Sequence, residues 1–310
     1  MPNWCANRLM FNGIKNSDVL KTWIAGGGPS LHRRARKEGI QLFLAGCAGI
    51  LRPLTEQHYA PYPQLVSYGA AADNRPSPSA QAYSDWLAMF VTGAVLDVET
   101  CQKLHQCWLD GHIRHARWAT LSEPEQVVIR QLYRQKSCDW GDSFRPAPVE
   151  EWWDSLCDAV PAAGPMDFRD LLPTRLDIEV NGFNGGLLTG VPSSYDHYLT
   201  RYGCKWPVGY EANICFAGEN ALTVDFDTPW SPVGEDVVAE LSQRYGGEVE
   251  HWFAEQGCNY CGYARYISGE TDVYITDELE WGDIDPDDED SFPDVTGPEW
   301  IINNVAHFGG

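Results

Sequence analysis

Cys258 and Cys261 stand two residues apart in EQGCNYCGY (255–263), the spacing with which a knuckle presents two thiolates to one zinc ion. His251, Cys5 and Cys204 are conceivable further ligands, but a second Cys-x-x-Cys pair is missing. The pair follows a predicted strand rather than opening a helix, so a thioredoxin-like thiolate is not expected. No cofactor is expected, zinc on Cys258, Cys261 and His251 being the one candidate. Cys101 and His105 lie four apart on a predicted helix, with Cys107, His112 and His115 nearby, yet nothing fixes tetrahedral geometry there. Asp225 and Asp227 alternate on one strand face and could hold Mg²⁺ or exchange protons, which makes them the candidate catalytic pair. Asn181 to Gly186 (NGFNGG) could aim backbone N–H groups at an anion, but it lacks the lysine and the strand-to-helix context of a phosphate loop. Arg33, Arg34, Arg36 and Lys37, beside His32, form a candidate anion site. Gly262-Tyr263-Ala264 faintly suggests an RNA-recognition strand, with Cys261 where a basic residue would stand. Gly-x-Ser-x-Gly, His-Glu-x-x-His and Walker motifs are absent.

The carboxylate pair needs a strand. From Ala221 to Thr228, Leu222, Val224 and Phe226 alternate with Thr223, Asp225 and Asp227, the period of a half-buried strand. Ala212, Ile214 and Phe216 repeat the pattern, and Gly218-Glu219-Asn220 supplies a hairpin loop. Ser231 and Pro232 predict the start of a helix carrying Val237, Val238, Leu241 and Tyr245, ended by Gly246-Gly247 before a strand from Glu248 to Ala254. At the other end of the chain, Asn3 to Asn12 reads as a strand and Asn16 to Ala25 as a short helix. Together these give βα plus ββαβ, an α+β fold: a ferredoxin-like antiparallel sheet with a large, mainly helical insertion. The expected division is 1–28 plus 205–276 for the ferredoxin-like domain, 29–204 for the insertion, and 277–310 for an acidic tail with a docking segment. Within the insertion, Ala80 to Gly93, Val98 to Gly111, Ser122 to Lys136 and Pro148 to Val160 read as helices, with a capping box at Ser122 to Glu125. Ile40 to Leu51 fits a buried helix or a strand, and the alternation of Arg175 to Val180 predicts a strand. Pro53 to Ser79 reads as an irregular surface connection.

MPNWCANRL, RYGCKWPVGY (201–210), DFDTPWSPVGEDVVAELSQRY (225–245), EQGCNYCGY and NNVAHFGG resemble the YubB family. The resemblance covers essentially the whole chain. It implies a ferredoxin-like C-terminal part and a genomic setting on conjugative plasmids, phages and related bacterial elements, and it carries no catalytic residues to transfer.

Composition narrows the function classes. The chain holds 44 acidic and 22 basic residues, a formal net charge of −22, and no Lys or Arg follows Arg265. Such a molecule repels nucleic acid at long range, so direct nucleic-acid binding is disfavoured. No stretch approaches the roughly 18 apolar residues of a membrane span, and the N-terminus lacks a secretory pattern. A cytoplasmic location in a bacterial host, with ten reduced cysteines, is expected. Thirteen tryptophans are many, and those beside Pro, Gly or another Trp, including Trp140, Trp152, Trp153, Trp206 and Trp230, are expected in part near the surface. The expected function is that of a non-enzymatic accessory protein of a mobile element, an acidic nucleic-acid mimic that occupies a host defence or nucleic-acid-binding protein. Its predicted contacts are Trp281, Asp283, Asp285, Asp287, Asp288, Glu289, Asp290 and Trp300. The alternatives are a metal-dependent hydrolase or nucleic-acid-processing enzyme, and a single-strand binder using the basic patch. The segment Trp300 to Phe308 is apolar enough to dock onto the body.

Overall fold

Alternation along Trp4–Asn12 makes β1 the centre of a sheet. Its neighbours are β2 (Tyr210–Ala217), β3 (Ala221–Pro229), β4 (Glu248–Glu255), β5 (Tyr260–Ile267) and β6 (Glu270–Asp277), in the order β2-β3-β1-β4-β5-β6, every adjacent pair antiparallel. The computed structural model describes residues 3–67, 77–141, 145–158, 162–283 and 293–310. The chain divides into two units. The first is Met1–Gly28, Ala162–Leu172 and Tyr198–Gly310, and the second is Pro29–Pro161 with Pro173–His197. Residues 162–172 and 198–204, which the sequence reading places in the insertion, therefore lie in the first unit.

In the first unit the order β2-β3-β1-β4, with helices Ser17–Ala25 and Glu235–Tyr245, is the expected ferredoxin-like frame. Leu9, Phe11, Val224 and Val249 bury against Leu20, Ile24, Val237 and Leu241, so both helices cover one sheet face. Two strands extend the frame beyond expectation. They are joined by Ser268-Gly269, both at positive φ (52° and 91°), the conformation of a two-residue hairpin loop. β6 (ETDVYITD) is polar and exposed, and merges by composition with the acidic run after it. Past β6, the two-residue β7 (Glu280–Trp281) pairs with β8 (Val295–Gly297), and Ile301 and Val305 dock the final segment against Ala254, Cys261 and Leu279.

The helix predicted to start at Ser231-Pro232 instead begins at Glu235, with Gly234 as its cap. The Ser231 carbonyl accepts from Thr228 Oγ1 at 2.6 Å, and Val233 N donates to Asn7 Oδ1 at 3.1 Å, which holds the chain extended. Asn7 is buried and also donates to Cys5 O and Thr228 Oγ1, each at 2.8 Å, while His251 Nε2 lies 3.0 Å from its Oδ1. The amide is thus saturated.

The second unit is helical: Leu31–Cys47, Gln64–Ser67, Pro78–Val91, Val98–Asp110, Glu123–Trp140, Val149–Ser155 and Leu176–Asn181. Ile40 to Cys47 belongs to the first of these helices, and every residue from Glu38 to Cys47 is buried. Gly46 sits there because a Cβ would lie 1.6 Å from the Tyr83 hydroxyl. The expected strand at Arg175 to Val180 is a helix, Leu176–Asn181. All six of its residues are buried: Asp177 and Glu179 are paired with Arg175 and Arg36, and Asn181 accepts from the Leu187 and Leu188 amides, so the polar positions of the alternation mark no solvent face. Ser122 and Glu125 form the expected capping box. Trp86, Trp140, Trp152 and Trp153 fill this unit's core, so the last three are not the surface residues that their neighbours in sequence suggest.

Burial pushes the His251 ring down to about 3 from 6.5. Its folded value is depressed, so the neutral ring contributes stability above pH 6.5 that is lost as pH falls towards the folded value. His251→Gln keeps a donor for Asn7 and removes the titration. Urea unfolding should show its stability falling less steeply below about pH 6.5 than the wild type's, by about 1.4 kcal/mol per pH unit. Equal slopes would refute the assignment.

Candidate functional site

Asp225 and Asp227 leave the sheet face opposite the helices, as their alternation requires. Asp225 is not free for acid–base work. Arg8, directly across from Asp225 on β1, grips it with two hydrogen bonds, Nε to Oδ1 at 2.6 Å and Nη2 to Oδ2 at 2.8 Å, and Cys215 Sγ donates to Oδ2 at 2.7 Å. Burial pushes the Asp225 carboxyl up, but the Arg8 and Cys215 hydrogen bonds outweigh it and hold its pKa below the ordinary value. Three of the roughly four lone-pair sites of this carboxylate are thereby taken.

Asp227 closes the wall of a cavity of about 280 Å³ that Trp4, Tyr210, Glu211 and His307 also line. β1 brings Trp4 and β3 brings Asp227. An extra residue in β2 between Tyr210 and Asn213 makes a bulge that re-aims Glu211, which takes φ 51°. Trp4 and Tyr210 have ring centroids 4.8 Å apart at 58°. The final segment supplies His307, and it is pinned by Gly310 N to Trp4 O at 3.0 Å and by Gln256 N to Phe308 O at 2.8 Å. His307 Nε2 lies 3.0 Å from Asp227 Oδ1 but off the angle a hydrogen bond needs, so the pair is an ionic contact and Oδ1 remains an unsatisfied acceptor. Gly309 N donates to His307 Nδ1 at 3.0 Å, which leaves the ring proton of the neutral form on Nε2, facing Asp227. With both ring nitrogens engaged, His307 has no lone pair for a general base. Beside this cavity's Tyr210 stands Trp206, with centroids 6.3 Å apart, and Lys205 Nζ lies 4.5 Å from the Trp206 ring and 5.0 Å from the Trp230 ring.

The other predicted sites separate. His251 faces the helices, whereas Cys261 faces the final segment on the opposite side of the sheet and Cys258 is exposed in the β4–β5 turn. Adjacent strands cannot bring opposite faces to one ion, so the three do not form a zinc site. Among the described residues no group of three or more His, Cys, Asp and Glu is arranged to hold a metal, and none of the ten cysteines forms a disulfide. Gly262 lies under the Phe253 ring, where a Cβ would be 2.1 Å from it; packing explains this glycine. Cys101 Sγ donates to Leu96 O at 3.4 Å and His105 pairs with Glu38 at 2.6 Å, so they share no site. Most of the basic cluster turns inward: Arg36 lies 3.6 Å from Glu179, Lys37 donates to Asp158 O at 2.7 Å, and His32 is buried, leaving Arg33 exposed and Arg34 half-buried. The glycine-rich loop meets an anion of its own chain, Asp139, through Asn184 N at 3.3 Å. Trp281 and Asp283 are exposed as expected, while Trp300 packs into the C-terminal cluster, 6.2 Å from Trp252. Asp285, Asp287, Asp288, Glu289 and Asp290 lie outside the described residues.

Trp4, Tyr210, Glu211 and His307 escape any reading by spacing, because three separate segments supply them. Their one sequence signature is that Trp4, Tyr210, Asp227 and His307 each fall in a stretch on which the family resemblance rests.

The Asp227 carboxylate holds the His307 pKa above 6.5 against burial, helped by Asp225 and Glu211. A raised folded value means that the pair's contribution is complete below pH 6.5 and lost as pH rises through that value. In Asp227→Asn the His307 ring should titrate closer to its ordinary value by NMR. An unchanged titration would show that Asp227 does not govern it.

Residues 29–206 match the family described as protein of unknown function (DUF1281), and residues 209–296 match a ferredoxin-like domain in Api92-like protein. The uncharacterised protein YubB of Escherichia coli (strain K12) is 55% identical over 146 residues, 47% of this chain and 99% of its own length. YubA of the same organism is 37% identical over 161 residues, 52% of this chain and 94% of its own. The crystal structure of a protein api92 from Yersinia pseudotuberculosis aligns with a TM-score of 0.80 at 33% identity, covering 91% of this chain and all of that one. With a fold of two helices on an antiparallel sheet and a match across more than half its length, this chain belongs to the DUF1281 family.

Proposed function

We propose that this protein is a non-enzymatic accessory protein of a plasmid or phage that works in the bacterial cytoplasm by docking onto a host nucleic-acid-binding or defence protein, its acidic surface standing in for nucleic acid. The observation that carries this reading is the charge: 44 acidic residues against 22 basic, and no cation in the sequence after Arg265. The basic residues that could have offset it locally are spent inside, Arg8 on Asp225 and Lys136 on Asp139. What remains outward includes Glu270 and Asp277 on the edge strand β6, beside exposed Tyr274, Ile275 and Trp281. Apolar anchors ringed by one sign of charge suit a basic protein surface. The Asp225 carboxylate, held by Arg8 and Cys215, and the engaged His307 favour this over hydrolysis.

The protein immobilised on beads and exposed to host lysate should retain basic nucleic-acid enzymes at low salt, release them as salt rises, and lose them to added duplex DNA. Retention of nothing, or of proteins indifferent to both salt and DNA, would overturn the reading.

A further inference from the structure

The cavity of about 280 Å³ between Trp4, Tyr210, Glu211, Asp227 and His307 is smaller than the roughly 300 Å³ at which sites for drug-sized ligands begin. It has room for a single side chain. Two of its lining groups are carboxylates and two are aromatic rings. Asp227 is only 8% exposed, and its Oδ1 accepts no hydrogen bond. Its ionic contact with His307 Nε2, 3.0 Å away, leaves lone pairs of the carboxylate for a further donor at the cavity wall. Glu211 is exposed at the rim, held there by the β2 bulge with a positive φ. The neighbouring rings already hold a cation, with Lys205 Nζ within 5.0 Å of both Trp206 and Trp230.

We propose that this cavity receives one arginine side chain from the partner's basic surface, its guanidinium stacked on Trp4 and Tyr210 and hydrogen-bonded to Asp227 and Glu211. A guanidinium fits better than an ammonium because it is planar, stacks on aromatic faces, presents several N–H donors and sheds water more easily. His307 stands behind Asp227 and is a positioning residue, fixing where the final segment closes the cavity. The inference rests on the docking reading above and names its central contact.

The probe is Nα-acetyl-arginine amide, with the corresponding citrulline and lysine amides as controls, titrated into the full chain while the tryptophan indole N–H signals are followed by NMR. Trp4→Phe assigns the Trp4 signal. The arginine amide should shift that signal saturably, the lysine amide should bind several-fold more weakly, and the uncharged citrulline isostere should leave it unmoved. Asp227→Asn should weaken arginine binding about tenfold, and so should Glu211→Gln, a change at an exposed position that leaves folding intact. An unmoved Trp4 signal with the arginine amide, equal binding of citrulline or lysine, or full affinity in Glu211→Gln would each overturn the assignment. The two readings fail separately. Lysate capture that survives in Glu211→Gln sinks the arginine pocket and keeps the docking function, whereas a wild-type chain that captures nothing sinks the docking function whatever the titration shows.

Discussion

One buried amide ties the sheet unit together. Asn7 spends both N–H donors and both lone pairs of its side chain on β1, on Thr228 of β3, on the Val233 amide and on His251 of β4. Loss of any one of these would leave a polar group stranded in a low-dielectric interior, at a cost of about 1–3 kcal/mol. The network therefore specifies one arrangement of three strands and of the turn that leads into the second helix. That turn places Trp230, at a strained φ of 74°, on the surface. The strands on either side set Trp4 and Asp227 at the same end of the sheet, so the candidate cavity inherits its geometry from an asparagine that does not line it.

Charge is distributed by the same logic of satisfaction. In each unit the cations that lie close to the interior are matched to carboxylates: Arg8 to Asp225 and Arg169 to Asp167 in the sheet unit, Arg36 to Glu179 and Lys136 to Asp139 in the helical one. Burial makes such matching compulsory, because an unpaired charge away from water costs several kcal/mol. On a chain with twice as many acids as bases, internal pairing uses basic residues that the surface then lacks. Each such pair removes one acid with one base, so the net charge of −22 is left to the remaining groups at a higher ratio of acids to bases. For the same reason the stretch from His32 to Lys37 does not form a compact anion site, although it is the most basic run in the sequence.

The ferredoxin-like frame was legible because its strands show one apolar face each and its hairpin loop is built from residues that tolerate positive φ. β6 was not, since an edge strand exposed on both faces lacks the apolar alternation that marks a strand, and its acids blend with those that follow. The helix at Leu176–Asn181 reads as a strand because Asp177, Glu179 and Asn181, buried and partnered inside, imitate the polar face of a half-buried strand. Cys258, Cys261 and His251 matched a zinc spacing along the chain, yet register sends His251 and Cys261 to opposite faces of the sheet.

By itself, then, the sequence determined the fold class, the excess of negative charge, and the shared face of Asp225 and Asp227, because these follow from local periodicity and from counting. Only tertiary structure decided what those carboxylates meet. Arg8 lies 217 residues from Asp225 along the chain, and Trp4, Tyr210 and His307 reach Asp227 from three further segments. Contacts across such separations depend on strand register and on how a final segment docks, and a linear pattern encodes neither.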